Sequence, residues 1–230
     1  IIYYYNKCHQ EAANISFAIN RTRLHFSNNP FFHEHEFNTA SVKFGFSSKR
    51  LCKWKWEGQL AVNFDANHWD LEDYVNYDFI LWGRYDYCND FRLHIGFLGQ
   101  TGMKIDRVYP IIGFDWKYTY KWRFNVVFPV NVSIVYIVDD NWSLALAGRV
   151  FQNRYRVGKH ARLSKGLWTY SSTGGELALN YRVNKTFNVN LHGGYNFGGL
   201  FKIANRHYRH KHRYRFDGAP YAGAQLDVRF

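Results

Sequence analysis

No stretch of roughly 18 or more apolar residues occurs in this 230-residue chain, so a helix able to cross a bilayer is not expected. The nearest approach, Phe124 to Val138, is interrupted by Asn125, Pro129, Asn131 and Ser133. Cysteine is scarce: Cys8, Cys52 and Cys88 show neither CxxC spacing nor an even count, which excludes a zinc ribbon and a full disulfide framework. A basic segment followed by a short apolar one is also missing, so if the protein is exported its signal has been removed. Acidic residues are the minority, 18 against 30 Lys and Arg, giving a net charge of +12. Such an excess raises nucleic acid as a partner. The basic residues are scattered along polar strand faces, however, apart from the run Arg206 to Arg215, and no nucleic-acid partner is expected.

What the chain has is aromatic residues, 20% of the total, and an alternation of apolar and polar positions with a period of two. The clearest case is Trp54 to Ala66. There Trp54, Trp56, Gly58, Leu60, Val62, Phe64 and Ala66 face one way, and Lys55, Glu57, Gln59, Ala61, Asn63 and Asp65 the other. Similar strands are predicted at Asn14 to Phe26, Phe37 to Ser47, Tyr77 to Tyr87, Phe91 to Phe97, Ile112 to Tyr118 and Phe124 to Phe128. Further ones follow at Val132 to Val138, Trp142 to Val150, Leu177 to Tyr181, Val189 to Tyr195 and Gly223 to Phe230. The expected fold is all-β: an up-and-down antiparallel barrel of about 12 strands spanning a membrane. Residues 1–13 are expected to form a periplasmic N-terminal segment and residues 14–230 the transmembrane barrel, with the last strand pairing with the first.

Connection lengths alternate, as in outer-membrane barrels, which have short periplasmic turns and longer extracellular loops. The short turns are Ser48 to Lys53, Cys88 to Asp90, Thr119 to Lys121, Asp139 to Asn141 and Val183 to Lys185. The longer connections are Ser27 to Glu36, Asn67 to Asn76, Gln100 to Arg107, Gln152 to Gly174 and Gly198 to Pro220, with the short connection at Pro129 to Asn131 breaking the rule. This orientation puts all three cysteines at the periplasmic end. A bridge between Cys52 and Cys88 would need two turns to lean within disulfide reach, and is not expected.

The strand Gly223 to Phe230, with Ala224, Leu226, Val228 and Phe230 on one face, resembles the assembly signal of bacterial outer-membrane barrels. Trp122 to Trp142, with Phe128-Pro129 and Tyr136, together with Glu176 to Tyr181 and Gly218 to Phe230, is similar to a family of uncharacterised outer-membrane β-barrel proteins. The resemblance implies location in a bacterial outer membrane, outer-membrane lipids as neighbours, and the barrel-assembly machinery as a partner acting at Phe230. It implies no catalytic residues.

Polar positions on the predicted inward faces, Lys55, Glu57, Asp65, Asp78, Arg84, Asp86, Arg92, His94, Arg149, Glu176, Arg182 and His192, would mix both charge signs in the lumen. They point to a narrow channel or transport component for small polar or anionic solutes. The same charges can instead pair across a small barrel and fill it, which points to a structural subunit of an outer-membrane complex with a protein partner. The basic run, with Arg206, Arg209, Lys211, Arg213 and Arg215, suits the phosphates of lipopolysaccharide at the extracellular surface.

Two further motifs weigh less. His25 and Ser27 share a strand face in the manner of a lipid-modifying base and nucleophile, but a turn at Asn28 to Pro30 follows and no oxyanion partner is recognisable. His33 and His35, like His207, His210 and His212, have imidazole spacing that suits a metal, but solvated polar loops account for them. No enzyme activity, cofactor or metal is expected.

Overall fold

The computed structural model describes residues 2–6, 11–23, 36–51, 53–66, 73–161, 163–184 and 186–228. Fourteen strands form one antiparallel sheet: β1 Ile2–Asn6, β2 Glu11–Arg23, β3 Glu36–Ser48, β4 Trp54–Asp65, β5 Val75–Asp86, β6 Phe91–Gly102 and β7 Arg107–Lys117. They continue with β8 Trp122–Phe128, β9 Asn131–Ile137, β10 Trp142–Arg156, β11 Leu167–Arg182, β12 Phe187–Ala204, β13 His212–Phe216 and β14 Ala219–Val228. From β1 to β13 each strand pairs with its sequence neighbour. β13 and β14 share one edge of β12, against residues 199–203 and 187–196 respectively, so they act as one strand broken at Asp217 and Gly218. Opposite the break Gly198 takes φ +85°, a conformation that favours glycine.

The turns at one end are built locally. The connections 118–121, 138–141 and 183–186 each carry a side-chain oxygen that accepts two backbone N–H groups. Thr119 Oγ1 accepts from Lys121 and Trp122, Asp139 Oδ1 from Asn141 and Trp142, and Asn184 Oδ1 from Thr186 and Phe187. Such residues turn the chain because their short polar side chains replace a backbone partner.

The polarity of the sheet is inverted relative to a soluble sandwich. Phe17, Ile19, Phe44, Phe46, Ile95, Ile112, Leu146, Val150, Leu177 and Leu191 are all exposed on one face, Ile19 at 81%. The other face buries Ser41, His94, Ser133 and Glu176 with Ala61, Ile111, Val127, Ala147 and Ala178. The sheet curls around this polar face until β3 meets β10 and β11, where Phe37 packs on Tyr155 and Trp168 at 5.2 and 5.0 Å.

One notch interrupts the wall. β8 and β9 have only 7 residues each and are joined through Pro129 and Val130, the Phe128–Pro129 bond being cis. They pair with β7 only from Ile112 and with β10 only as far as Gly148, leaving the outer halves of both neighbours without a ladder on that side. β10 and β11 continue past this level and lean inward. Arg154 reaches β5 and β6, Gln152 reaches Tyr109 of β7, and Tyr155 packs on Phe37 of β3, so side chains from both faces of β10 beyond Val150 meet other strands.

The observed architecture departs from the sequence expectations in three places. Twelve strands fall where predicted, but the described residues form fourteen, because β1 lies within residues 1–13 and β13 overlaps the basic run. The long connections shrink to 103–106, 157–166 and 205–211, because the strands continue beyond their most regular alternation. Among the described residues no ladder joins β14 to β2. Part of the reason is local: β1 pairs with residues 11–15 of β2, on the edge the last strand would need.

Gly113 marks how closely the strands are coiled, since a Cβ there would stand 2.0 Å from the Val126 carbonyl oxygen and 2.5 Å from Val127 Cα. Backbone cannot yield as a side chain does. Gly113→Val is therefore expected to lower stability by about 2 kcal/mol or more, read as a reduced folded fraction on refolding into detergent. Gly148→Ala, whose Cβ would have nothing closer than 3.9 Å, should refold like the native chain.

Candidate functional site

The curled sheet encloses a set of polar clusters, each assembled by register. On β5, β6 and β7, Trp82 Nε1 donates to His94 Nδ1 at 2.9 Å, and His94 Nε2 lies 3.0 Å from Asp115 Oδ2. Indole can only donate, so Nδ1 accepts and Nε2 carries the proton toward Asp115. Nearer the short turns Arg84 and Arg92 lie 3.3 and 3.2 Å from Asp86, and Lys55 pairs with Glu57. Across β10, β11 and β14, Arg149 Nε donates to Glu176 Oε1 at 2.9 Å and the Tyr221 hydroxyl to Oε2 at 3.2 Å. His192 Nδ1 lies 2.7 Å from Asn190 Oδ1, and Asn190 donates to Asn180. Arg182 lines a smaller recess of about 340 Å³ at the short-turn end with Arg123, Asp139 and Asp140. Asp65 is buried at the opposite end of β4.

Above these clusters lies a cavity of about 560 Å³ between the inner faces of β2 to β6 and the inward-leaning part of β10. Arg154 is its keystone. Its Nη1 donates to the carbonyl oxygens of Gly102 and Ile105, and its Nη2 to Thr101 O, Asn76 Oδ1 and Asp78 Oδ1, at 3.2 to 3.4 Å. Asp78 in turn accepts from Asn63 and Gln100 at 2.7 and 3.2 Å. Ser41 donates to Asn63 at 2.7 Å. Arg154 lay within a connection in the sequence reading and went unmarked. Its only sequence signal is that Gln152, Asn153, Arg154 and Arg156 put polar groups on both faces of one strand.

The cavity is roofed at the long-connection end by a cap with an ordinary apolar core. Phe37, Val157, Trp168 and Ile203 form one buried cluster, and Met103, Ile105 and Leu167 another. Asp73 ties three connections together over it, 2.6 Å from Lys165 Nζ and 3.0 Å from Arg206 Nη2, with its side chain only 3% exposed. The Tyr74 hydroxyl donates to Val157 O at 3.1 Å, and Arg156 donates to the carbonyl oxygens of Lys165 and Arg206. Burial alone would raise the Asp73 carboxyl, but hydrogen bonds from Lys165 and Arg206 and the charge of Arg156 hold it below its ordinary value near 3.8. Burial pushes the Tyr74 hydroxyl the other way, upward.

The basic run is thus divided. Arg206 spends its charge on Asp73, Lys211 sits 3.8 Å over the Tyr208 ring, Arg209 lies in the connection, and Arg213 and Arg215 stand exposed on β13. Cys88 is a free, exposed thiol. Cys8, Cys52, His25, Ser27, His33, His35 and Phe230 lie outside the described residues. Among the described residues no three His, Cys, Asp or Glu side chains converge as a metal site.

Comparison with known proteins gives kinship without an activity. Uncharacterised proteins of Chlamydia pneumoniae and Chlamydia trachomatis are 25% and 24% identical over 197 and 199 residues, 84% and 85% of this chain. One of Chlamydia muridarum is 23% identical over 192 residues, 83% of this chain. The chain spans about 60% of the length of these relatives. No solved structure matches it. A family model described as a domain of unknown function, DUF6268, matches residues 42–229, from β3 through the last strand, and the chain belongs to that family.

Proposed function

We propose that this chain is a membrane-embedded β-barrel of the bacterial outer-membrane type, providing a passage for small polar solutes that its own cap closes in the conformation described here. The observation that carries the membrane reading is the inverted polarity. Exposed Phe, Leu, Ile and Val along nearly every strand would be a severe aggregation liability in water and are the ordinary lining of a barrel in lipid.

A belt of rings near the short-turn end supports it. Trp54 stacks on Trp56 and leans on Tyr85, Phe91 stacks on Phe114, Trp116 meets Phe124, Trp122 meets Tyr136, and Trp142 stacks on Tyr181 at 4.2 Å. Aromatic girdles of this kind sit at the interface between hydrocarbon and headgroups. In this reading the short turns face the periplasm, and the exposed Arg213 and Arg215 face the phosphates of outer-leaflet lipid.

The passage reading rests on the polar cavity and the way it is roofed. Among the described residues, Asp73 is the carboxylate that joins its own connection to 157–166 and 205–211, through Lys165 and Arg206. Removing one partner of a buried ion pair costs on the order of 3 kcal/mol, less here because Arg206 is half exposed. A second reading, a filled barrel serving as a subunit that docks a protein partner, is favoured by the inward lean of β10 and β11.

Conductance in planar bilayers separates the two. Native protein is expected to be mostly closed, and Asp73→Asn to raise its open probability about tenfold or more. Folded native and variant protein that both carry no current would leave only the filled-barrel reading. The pH response follows from the lowered Asp73 pKa: the carboxylate's contribution to the cap is complete above about 3.8 and is lost as pH falls through its lower folded value. Current should therefore stay flat from neutral pH down to about 4 and rise only below it, a rise absent in Asp73→Asn.

A further inference from the structure

The cavity beneath the cap has a chemistry that selects among polar solutes. We infer that it is a binding site for a neutral polyhydroxylated molecule of monosaccharide to disaccharide size. The inference rests on the reading that the interior admits solutes, but not on passage through it.

Size and composition come first. A volume of about 560 Å³ lies within the roughly 300–1,000 Å³ typical of small-molecule sites. Its lining includes six carboxamides, Asn20, Asn63, Asn76, Gln100, Gln152 and Asn153, with the hydroxyls of Thr39 and Ser41. Each carboxamide presents a donor and an acceptor side by side. A sugar hydroxyl both donates and accepts, so a wall of carboxamides can match a ring of hydroxyls from several directions.

The charged groups argue against an ion as the occupant. Both terminal nitrogens of Arg154 are already engaged by five acceptors, one of them the Asp78 carboxylate. Both Asp78 oxygens accept hydrogen bonds, Oδ1 from Gln100 and Arg154 and Oδ2 from Asn63. Arg21, at the rim, is paired with Glu36. An anion would have to break the Arg154 fan, and a cation would have to strip Asp78 of its donors. The sequence expectation of an anionic solute thus finds no unspent cation among the described residues lining this cavity.

The neutral groups are less committed. Asn20, Thr39 and Asn153 make no side-chain hydrogen bond among the described residues, and all three line the cavity from β2, β3 and β10. Tyr155 adds an apolar wall: its ring is held by Trp168 at 4.5 Å and Phe37 at 5.2 Å. A rigid aromatic edge beside free carboxamides suits a ring with one C–H face and a rim of hydroxyls.

Isothermal titration of the full chain, folded in detergent, tests this with glucose and maltose as neutral probes and glucose 6-phosphate as the charged comparator. Saturable binding of a neutral sugar is expected, weakened about tenfold when Asn20→Ala and Asn153→Ala are combined, since each lost hydrogen bond is worth about 0.5–1.5 kcal/mol. Because neither side chain bonds elsewhere among the described residues, the double variant should refold like the native chain. No saturable heat, binding unchanged in the double variant, or preference for the phosphorylated sugar would each overturn the inference. Bilayer current with no sugar binding would overturn it while leaving the passage standing; sugar binding without current would do the reverse.

Discussion

A curled sheet with its apolar face outward turns its polar side chains toward one another, and an unpaired buried donor or acceptor among them costs about 1–3 kcal/mol. The rest of the structure follows from that constraint. Inner side chains meet in small closed groups: Trp82 with His94 and Asp115, Arg149 with Glu176 and Tyr221, Asn180 with Asn190 and His192. The first and third groups link adjacent strands and the second reaches from β10 and β11 across β12 to β14, so each also locks register. A slip by one residue would reverse every side chain and put these charges on the apolar face.

The short β8–β9 hairpin gives the molecule its asymmetry. Where the wall is low, β10 and β11 are free to lean inward, and the polar groups on both faces of that stretch are what make the lean affordable. Arg154 is satisfied from β5, β6 and the connection after β6, while Tyr155 joins the apolar cap on the other side. The molecule therefore has two interiors of opposite character. One is polar and hydrogen-bonded between the strands; the other is apolar and close-packed around Trp168, closed by Asp73. The boundary between them forms the roof of the cavity, and in the proposed function that is where solute and closure would meet.

Much of this was legible along the chain. The alternation of Trp54 to Asp65, and of the other long strands, gives both their extent and which residues share a face, because side-chain direction in a strand depends only on parity. The turns at Thr119, Asp139 and Asn184 were legible for the same local reason. β1 and β13 escaped notice, being 5 residues long with no contrast of their own and existing only through their pairing with β2 and β12. The cap was also invisible. Asp73 and Arg206 are 133 residues apart, and nothing near either marks it as the other's partner.

Sequence alone determined the all-β class and the faces of the strands, since these depend on residues at most a few positions apart, whereas the alternation of connections holds only in part, the one after β6 having the four residues 103–106. Only the tertiary structure decided which inner charges are spent. Arg206, read from the chain as part of a basic surface, is consumed by Asp73, and Arg154, unmarked in the chain, organises the cavity. Charge is written in the residue, but its availability depends on what the curvature of the sheet brings within hydrogen-bonding distance.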